Sequence, residues 1–218
     1  DTSSVVNDNI KSIMSDNTFT VTTGHQLNIF TGPMYVIYKI VSVIKLSRML
    51  SEKYPKYKFV PIYWMASEDH DFDEIKSFYS SGKTYSWDIE SKGPVGNLNT
   101  EALKNIFDED ISIPDFFREA YSSSSSLSEA VRKYMNHLFG EYGLITIDPN
   151  SKNLKKSISD IIVDDVVNNT IEKVEKSSEK TSDVYVRKIN FFFQGSDFRE
   201  RIDKTNKYNI LSTNLSFT

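Results

Sequence analysis

Cysteine is missing from all 218 residues. Its absence removes disulfides, thiolate nucleophiles and zinc–thiolate centres from consideration and is compatible with a cytoplasmic location. Blocks of like charge are missing too. With 26 basic and 30 acidic residues the formal net charge is -4, and neither sign clusters into a tail, so neither nucleic-acid nor membrane-surface binding finds support. No apolar stretch approaches the ~20 residues that a bilayer requires, because even the richest segment, 34–50, is crossed by Lys39, Lys45 and Arg48. An initiating methionine and a signal-peptide pattern are also lacking, and the expectation is that the sequence begins inside a longer protein. What is present is an ordinary core-forming composition, 39% hydrophobic and 13% aromatic, sufficient for one large or two small domains.

Read in order, residues 5–14 have the pattern of a short amphipathic helix. Thr18–Thr23 reads as a strand that stops at Gly24. The segment from Met34 to Leu50 lacks breakers, and its polar stripe (Lys39, Ser42, Lys45, Arg48) is so narrow that a helix covered on most of its circumference is expected. Pro33 suits the first turn of that helix. Residues 59–65 form a continuous apolar run, as in a parallel strand buried on both faces, with Pro61 expected at the strand start. Strand, helix and strand make a βαβ unit, so the two strands should be adjacent and parallel and the segments leaving their carboxyl ends should converge.

Phe78–Tyr79 and Thr84–Trp87 flank Ser81-Gly82 as a hairpin. Helices are expected over 100–107, 114–121 and 127–139, the last capped by Ser126 or Ser128. Residues 144–147 read as a third core strand ended by Asp148-Pro149, and a helix is expected from about 151 to 175. A polar linker over 176–183 and a second hairpin around Gly195-Ser196 complete the pattern, with Arg199 and Arg201 on one face. The fold class is α/β. The domain boundaries expected are 1–71 for the first part of the core, 72–140 for an inserted connecting segment, 141–175 for a continuation of the core, and 176–218 for a hairpin region leading to a second core half beyond this sequence.

Two stretches concentrate chemistry. In the first, Thr23, Gly24, His25, Gln26, Asn28, Thr31 and Gly32 gather donors, acceptors and two glycines ahead of a helix whose free N–H groups attract a carboxylate or phosphate, with Tyr35 on its first turn. Neither the GxxxxGK(S/T) loop nor the GxGxxG fingerprint occurs. In the second, Glu68, Asp69, His70, Asp71 and Asp73 place four carboxylates and an imidazole within six residues, beside Trp64 and Ser67. Crowded carboxylates shift one another's pKa, and Asp69 with His70 suits acid/base work. The same donors could instead hold a divalent ion in a hydrolase. A third alternative is a non-catalytic binding or scaffold fragment. His137 stands alone on a helical segment.

The blocks TTGHQLNIFTGPMYVIYKI, VPIYWMASEDHDFDEI and YGLITIDPNSKNLKK resemble, in order and spacing, the bacillithiol biosynthesis cysteine-adding enzymes. The resemblance implies a Rossmann-like, nucleotidyltransferase-like core and a carbon–nitrogen ligase that joins cysteine to glucosaminyl-malate, the last step of bacillithiol synthesis. It implies Asp69, His70 and His25 as catalytic residues. Thr23, Gly24, Gln26, Asn28, Thr31, Gly32, Tyr35, Trp64, Ser67 and Glu68 are then substrate-binding, and no metal is implied. Thr23 to Gln26 stand where the HxGH element of nucleotidyltransferases would lie. A nucleotide, ATP, is the candidate activator of the carboxylate. Longer members continue into a second core half and a coiled coil that makes a homodimer, so activity is expected to belong to the longer parent.

Overall fold

The computed structural model describes residues 2–109, 112–167, 175–177, 189, 191–204, 208–210 and 216–217. By its internal contacts the chain divides into a unit of residues 1–149 and a unit of residues 150–218.

The first unit runs α1 (Ser4–Ser12), β1 (Thr18–Gln26), α2 (Met34–Lys53), β2 (Lys58–Ala66), α3 (Phe72–Ile75), β3 (Ser77–Ser80), β4 (Lys83–Ser86), α4 (Glu101–Glu109), α5 (Asp115–Ser122), α6 (Leu127–Phe139) and β5 (Ile145–Ile147). β1, β2 and β5 form a sheet in that order, and both pairings are parallel. The βαβ expectation therefore holds, and everything between β2 and β5 is an insertion into the sheet's connectivity.

β1 is longer than expected. It continues through Gly24, His25 and Gln26, which pair with Trp64, Met65 and Ala66. A glycine ends a strand only when no neighbour holds it, and here β2 supplies a ladder partner at every position. Pro61 is likewise interior to β2 rather than at its start. β5 begins to pair only at Ile62, so at Pro61 the strand has a ladder neighbour on one side and the missing N–H is tolerated.

Alternation along β2 sorts its side chains between two cores. Val60 and Ile62 pack with Val6 of α1 and Ile145 of β5. Tyr63 and Met65 join the larger cluster built by α2, the loop after β1 and the insertion. α2 buries Val36, Ile40, Val43 and Ile44 on that face. The expected cover on its remaining circumference is absent among the described residues: Tyr38 and Met49 are 68% and 54% exposed, and Val41 and Leu46 are exposed as well. Two polar residues are instead turned inward. Ser47 is buried with its hydroxyl donating to Val43 O, and Lys39 donates to Gly24 O.

The hairpin of β3 and β4 turns through Ser81 and Gly82, at φ +49° and +80°, as a tight two-residue turn demands. Ser126 caps α6 by accepting from Glu129 N. In the second unit, α7 (Lys152–Ser157) and α8 (Ser159–Val167) replace the single helix expected from 151. The hydroxyls of Ser157 and Ser159 donate back to Leu154 O and Lys156 O, competing with the helical ladder at the break. The rest of that expected helix, and nearly all of the expected linker, lie outside the described residues. β6 (Phe192–Gln194), β7 (Arg199–Lys204), β8 (Tyr208–Ile210) and β9 (Ser216–Phe217) form an antiparallel meander, so the expected hairpin is present and extended by two strands. Arg199 and Arg201 share a face, with Arg199 Cζ 4.2 Å and Arg201 Cζ 5.8 Å from the Phe192 ring centre. No helix among the described residues is long and apolar enough to cross a membrane.

Candidate active site

Both chemical stretches emerge at the carboxyl edge of the sheet, where the strand ends leave backbone and side chains open to a ligand. Paired residues in a parallel ladder share a face, so Gly24 lies beside Trp64, which is 40% exposed. A Cβ at position 24 would stand 3.5 Å from Trp64 Cβ, so glycine leaves the flank of that indole open. His25 is on the opposite face, towards α2. The Tyr35 hydroxyl lies 3.1 Å from its Nε2, and the two rings are 5.0 Å apart. Lys39, one turn beyond Tyr35, is anchored on Gly24 O. Burial and then the Lys39 ammonium push the His25 pKa below its ordinary value of 6.5, so the neutral ring is favoured at neutral pH.

The loop that follows is held from the insertion. Leu27 and Ile29 are buried. Phe30 takes a left-handed conformation, φ +57°, which costs a non-glycine residue about 1 kcal/mol and persists only where its surroundings fix it. Its ring sits among Phe78, Phe107, Phe117 and Tyr121. Its N–H donates to the Tyr121 hydroxyl at 2.7 Å, and the Tyr134 hydroxyl donates to Phe30 O and, at 3.3 Å, to Asn28 O. Burial pushes both phenols' pKa values up, so they remain protonated donors. Gly32, at φ +65°, is required: a Cβ there would lie 2.8 Å from Asn28 Cγ. Between this loop and the β3–β4 hairpin is a cavity of about 550 Å³, to which Asn28, Thr31 and Gly32 contribute.

The second stretch is built differently from the carboxylate cluster its composition suggested. Ser67 is fully buried, donates its hydroxyl to Asp148 Oδ1 at 2.5 Å, and accepts Gly96 N–H at its carbonyl. Asp69 Oδ1 accepts His70 N–H at 2.7 Å. His70 Nδ1 donates to Glu68 O at 3.0 Å. A carbonyl only accepts, so the proton is on Nδ1, and in the neutral ring Nε2 keeps a lone pair that is buried without a partner among the described residues, as is Glu68 Oε2. Asp73 points to solvent and pairs with Lys76 at 2.7 Å. Among the described residues no three His, Asp or Glu side chains come together as a metal-ligand set. Asp69 Oδ1 is engaged by a backbone N–H, and Asp71 and Asp73 are exposed.

The two stretches meet where Gln26 Nε2 donates to Asp71 O at 3.2 Å. The third block joins through Asp148, which leaves β5 at the same edge and accepts from Ser67. No hydrogen bond or ion pair joins His25 to Asp69 or His70 among the described residues. Thr23, at the far end of this group, is half-buried beside Tyr63 in the ladder. Lys39 is visible in sequence, in the polar stripe of the long helix and one turn from Tyr35, where it could face the pocket. Three further residues of the site were not singled out by sequence, although one carried a signal. Asp148 had one in its place at the end of a core strand. Tyr121 and Tyr134 had none, since only the folded insertion brings them to a loop some 90 to 100 residues earlier.

The family model described as "Bacillithiol biosynthesis BshC, N-terminal Rossmann-like domain" matches residues 1–218. The chain belongs to the BshC family. Its Rossmann-like class agrees with the parallel sheet and crossover helix observed. Among curated relatives, the protein named "Putative cysteine ligase BshC" of Flavobacterium psychrophilum is 42% identical over 96% of this chain and 43% of its own length. The like-named proteins of Flavobacterium johnsoniae and Cytophaga hutchinsonii are each 40% identical, over 96% and 98% of this chain and 43% and 42% of theirs. The chain thus spans less than half the length of these BshC relatives.

Proposed function

We propose that this chain is the part of a BshC ligase that presents the reacting carboxylate and amine to each other, joining cysteine to glucosaminyl-malate through a carbon–nitrogen bond. The observation that supports this reading is that the three blocks shared with the cysteine-adding enzymes, far apart in sequence, are tied together at one sheet edge by the Gln26–Asp71 and Ser67–Asp148 hydrogen bonds.

Amide formation requires the amine nitrogen to attack the carboxyl carbon, a leaving group to depart with its bonding electrons, and a base to take the proton from nitrogen. His25 is suited to accept that proton, since its lowered pKa keeps the ring deprotonated and its ring is half-exposed between Tyr35 and Lys39. Asp69 orders the turn that holds His70, and the Nε2 of His70, without a partner among the described residues, is a second acceptor. ATP would supply the leaving group. The start of α2, which has no side-chain cap, offers first-turn N–H groups to its phosphates beside Gly32 and Thr31.

The test is turnover of the full-length protein. Asp69→Asn, His70→Ala and His25→Ala should each lower formation of cysteinyl-glucosaminyl-malate by about 10²-fold or more while circular dichroism stays unchanged. Full activity in all three variants would sink the assignment.

A further inference from the structure

The turn that carries His70 is pinned at every carbonyl from Met65 to His70. Met65 O accepts Ser67 N–H at 2.6 Å, Ala66 O accepts Asp69 N–H at 3.5 Å, and His70 O accepts Phe72 N–H at 2.9 Å. Two more are held from the insertion by a short helical turn, Val95–Asn97. Gly96 N–H donates to Ser67 O at 3.0 Å, and Val95 N–H donates to Asp69 O at 2.7 Å. The remaining carbonyl is Glu68 O, and the ring of His70 itself fills it through Nδ1 at 3.0 Å. Free histidine keeps the proton of its neutral ring mostly on Nε2. Here the turn draws it to Nδ1, and the bond made by one ring nitrogen decides what the other can do: Nε2 is left as an acceptor.

Ser67 opens this turn and is clamped twice. Its hydroxyl, fully buried, donates at 2.5 Å to Asp148 Oδ1 beyond the end of β5, and its carbonyl is held by Gly96. With side chain and carbonyl both fixed, the peptide plane that leads to Glu68 cannot rotate without giving up a hydrogen bond to a charged group. We infer that Asp148 is a positioning residue for His70: through Ser67 it holds the turn in the arrangement that presents Glu68 O to Nδ1, and so keeps the Nε2 lone pair available to a substrate proton. This rests on the ligase reading for the part His70 plays in turnover, whereas the tautomer is a property of the folded chain.

The experiment uses the full-length protein labelled with 15N-histidine, the His70 signals being assigned by their loss in His70→Gln. With the ring neutral, its nitrogen shifts should show Nδ1 protonated and Nε2 bare in the unaltered protein. Asp148→Ala and Ser67→Ala remove the same bond from opposite sides, and each should move the tautomer ratio about tenfold towards Nε2–H, as the loss of one hydrogen bond to a charged group allows. Asp148→Asn, which keeps an oxygen acceptor at the same reach, should restore the Nδ1–H form. In turnover, Asp148→Ala should lower kcat about tenfold and leave KM for cysteine and for glucosaminyl-malate within about twofold, the split expected when only a transition-state interaction is lost. An Nε2–H ring in the unaltered protein overturns the assignment without any variant, and so does an Nδ1–H ring that survives both alanine substitutions. Because the tautomer is read without turnover, an unaltered protein that shows Nδ1–H but makes no product refutes the ligase reading and leaves the positioning role standing. A productive enzyme with Nε2–H does the reverse.

Discussion

His25 shows how a single position acquires its chemistry from its neighbours. A free imidazole is half-protonated near pH 6.5; burial and the Lys39 ammonium both disfavour the charged ring. Because the folded pKa is depressed, the unfolded chain binds the proton first as pH falls. The neutral ring's contribution is therefore complete above pH 6.5 and is lost as pH drops through the lowered folded value. NMR titration should place the His25 midpoint below 6.5, and Lys39→Met should move it part of the way back. A midpoint at the free value would mean that neither burial nor Lys39 acts on the ring. Urea midpoints for a His25→Asn variant should fall less steeply below pH 6.5 than those of the unaltered chain.

At the scale of elements, the loop after β1 is shaped by helices that contribute nothing to its sequence pattern. Tyr134→Phe removes the hydroxyl that α6 donates to Phe30 O and Asn28 O. It should cost about 1–3 kcal/mol, the usual penalty for unpairing buried carbonyls, together with faster amide exchange over residues 28–32. Unchanged exchange there would mean that the aromatic packing around Phe30 holds the loop unaided. α2 offers the opposite contrast between its two sides. Ile40→Ala, at a fully buried position, should cost about 2–5 kcal/mol by leaving a cavity. Val41→Gln, one residue along on the exposed side, should change stability by less than about 0.5 kcal/mol. Comparable losses at both positions would show that the outward face is covered in solution.

At the scale of the molecule, the insertion and the sheet are fastened where Gly96 meets Ser67. Gly96 donates its N–H to Ser67 O at 3.0 Å, and a Cβ at that position would lie 2.6 Å from Ser67 Cβ. Gly96→Ala should therefore destabilise the first unit by about 1–3 kcal/mol, as overpacking does, and should disturb the Ser67–Asp148 bond at the sheet edge. Thermal unfolding reads the first effect, and the Ser67 and Asp148 amide shifts read the second. A melting temperature and shifts like those of the unaltered chain would place the two segments farther apart than the structure does.

The sequence determined by itself the elements whose information is local. The apolar run 59–65 marks a two-sided strand, Ser81-Gly82 a tight turn, Ser126 or Ser128 a helix cap, and the strand–helix–strand order forces β1 and β2 to lie parallel with their carboxyl ends together. It also marked most residues at the candidate site, because polar groups beside glycines and carboxylates after a core strand are visible without a fold. Tertiary structure decided the rest. A glycine that looked like a strand end became part of the ladder because β2 runs alongside it. A cluster of acids became a set of separately committed groups, since local backbone N–H donors and Lys76 claim Asp69 and Asp73 before they can converge. Asp148, Tyr121 and Tyr134 reach the site only through contacts across the chain, and such contacts depend on where whole elements pack, which no local pattern of residues encodes.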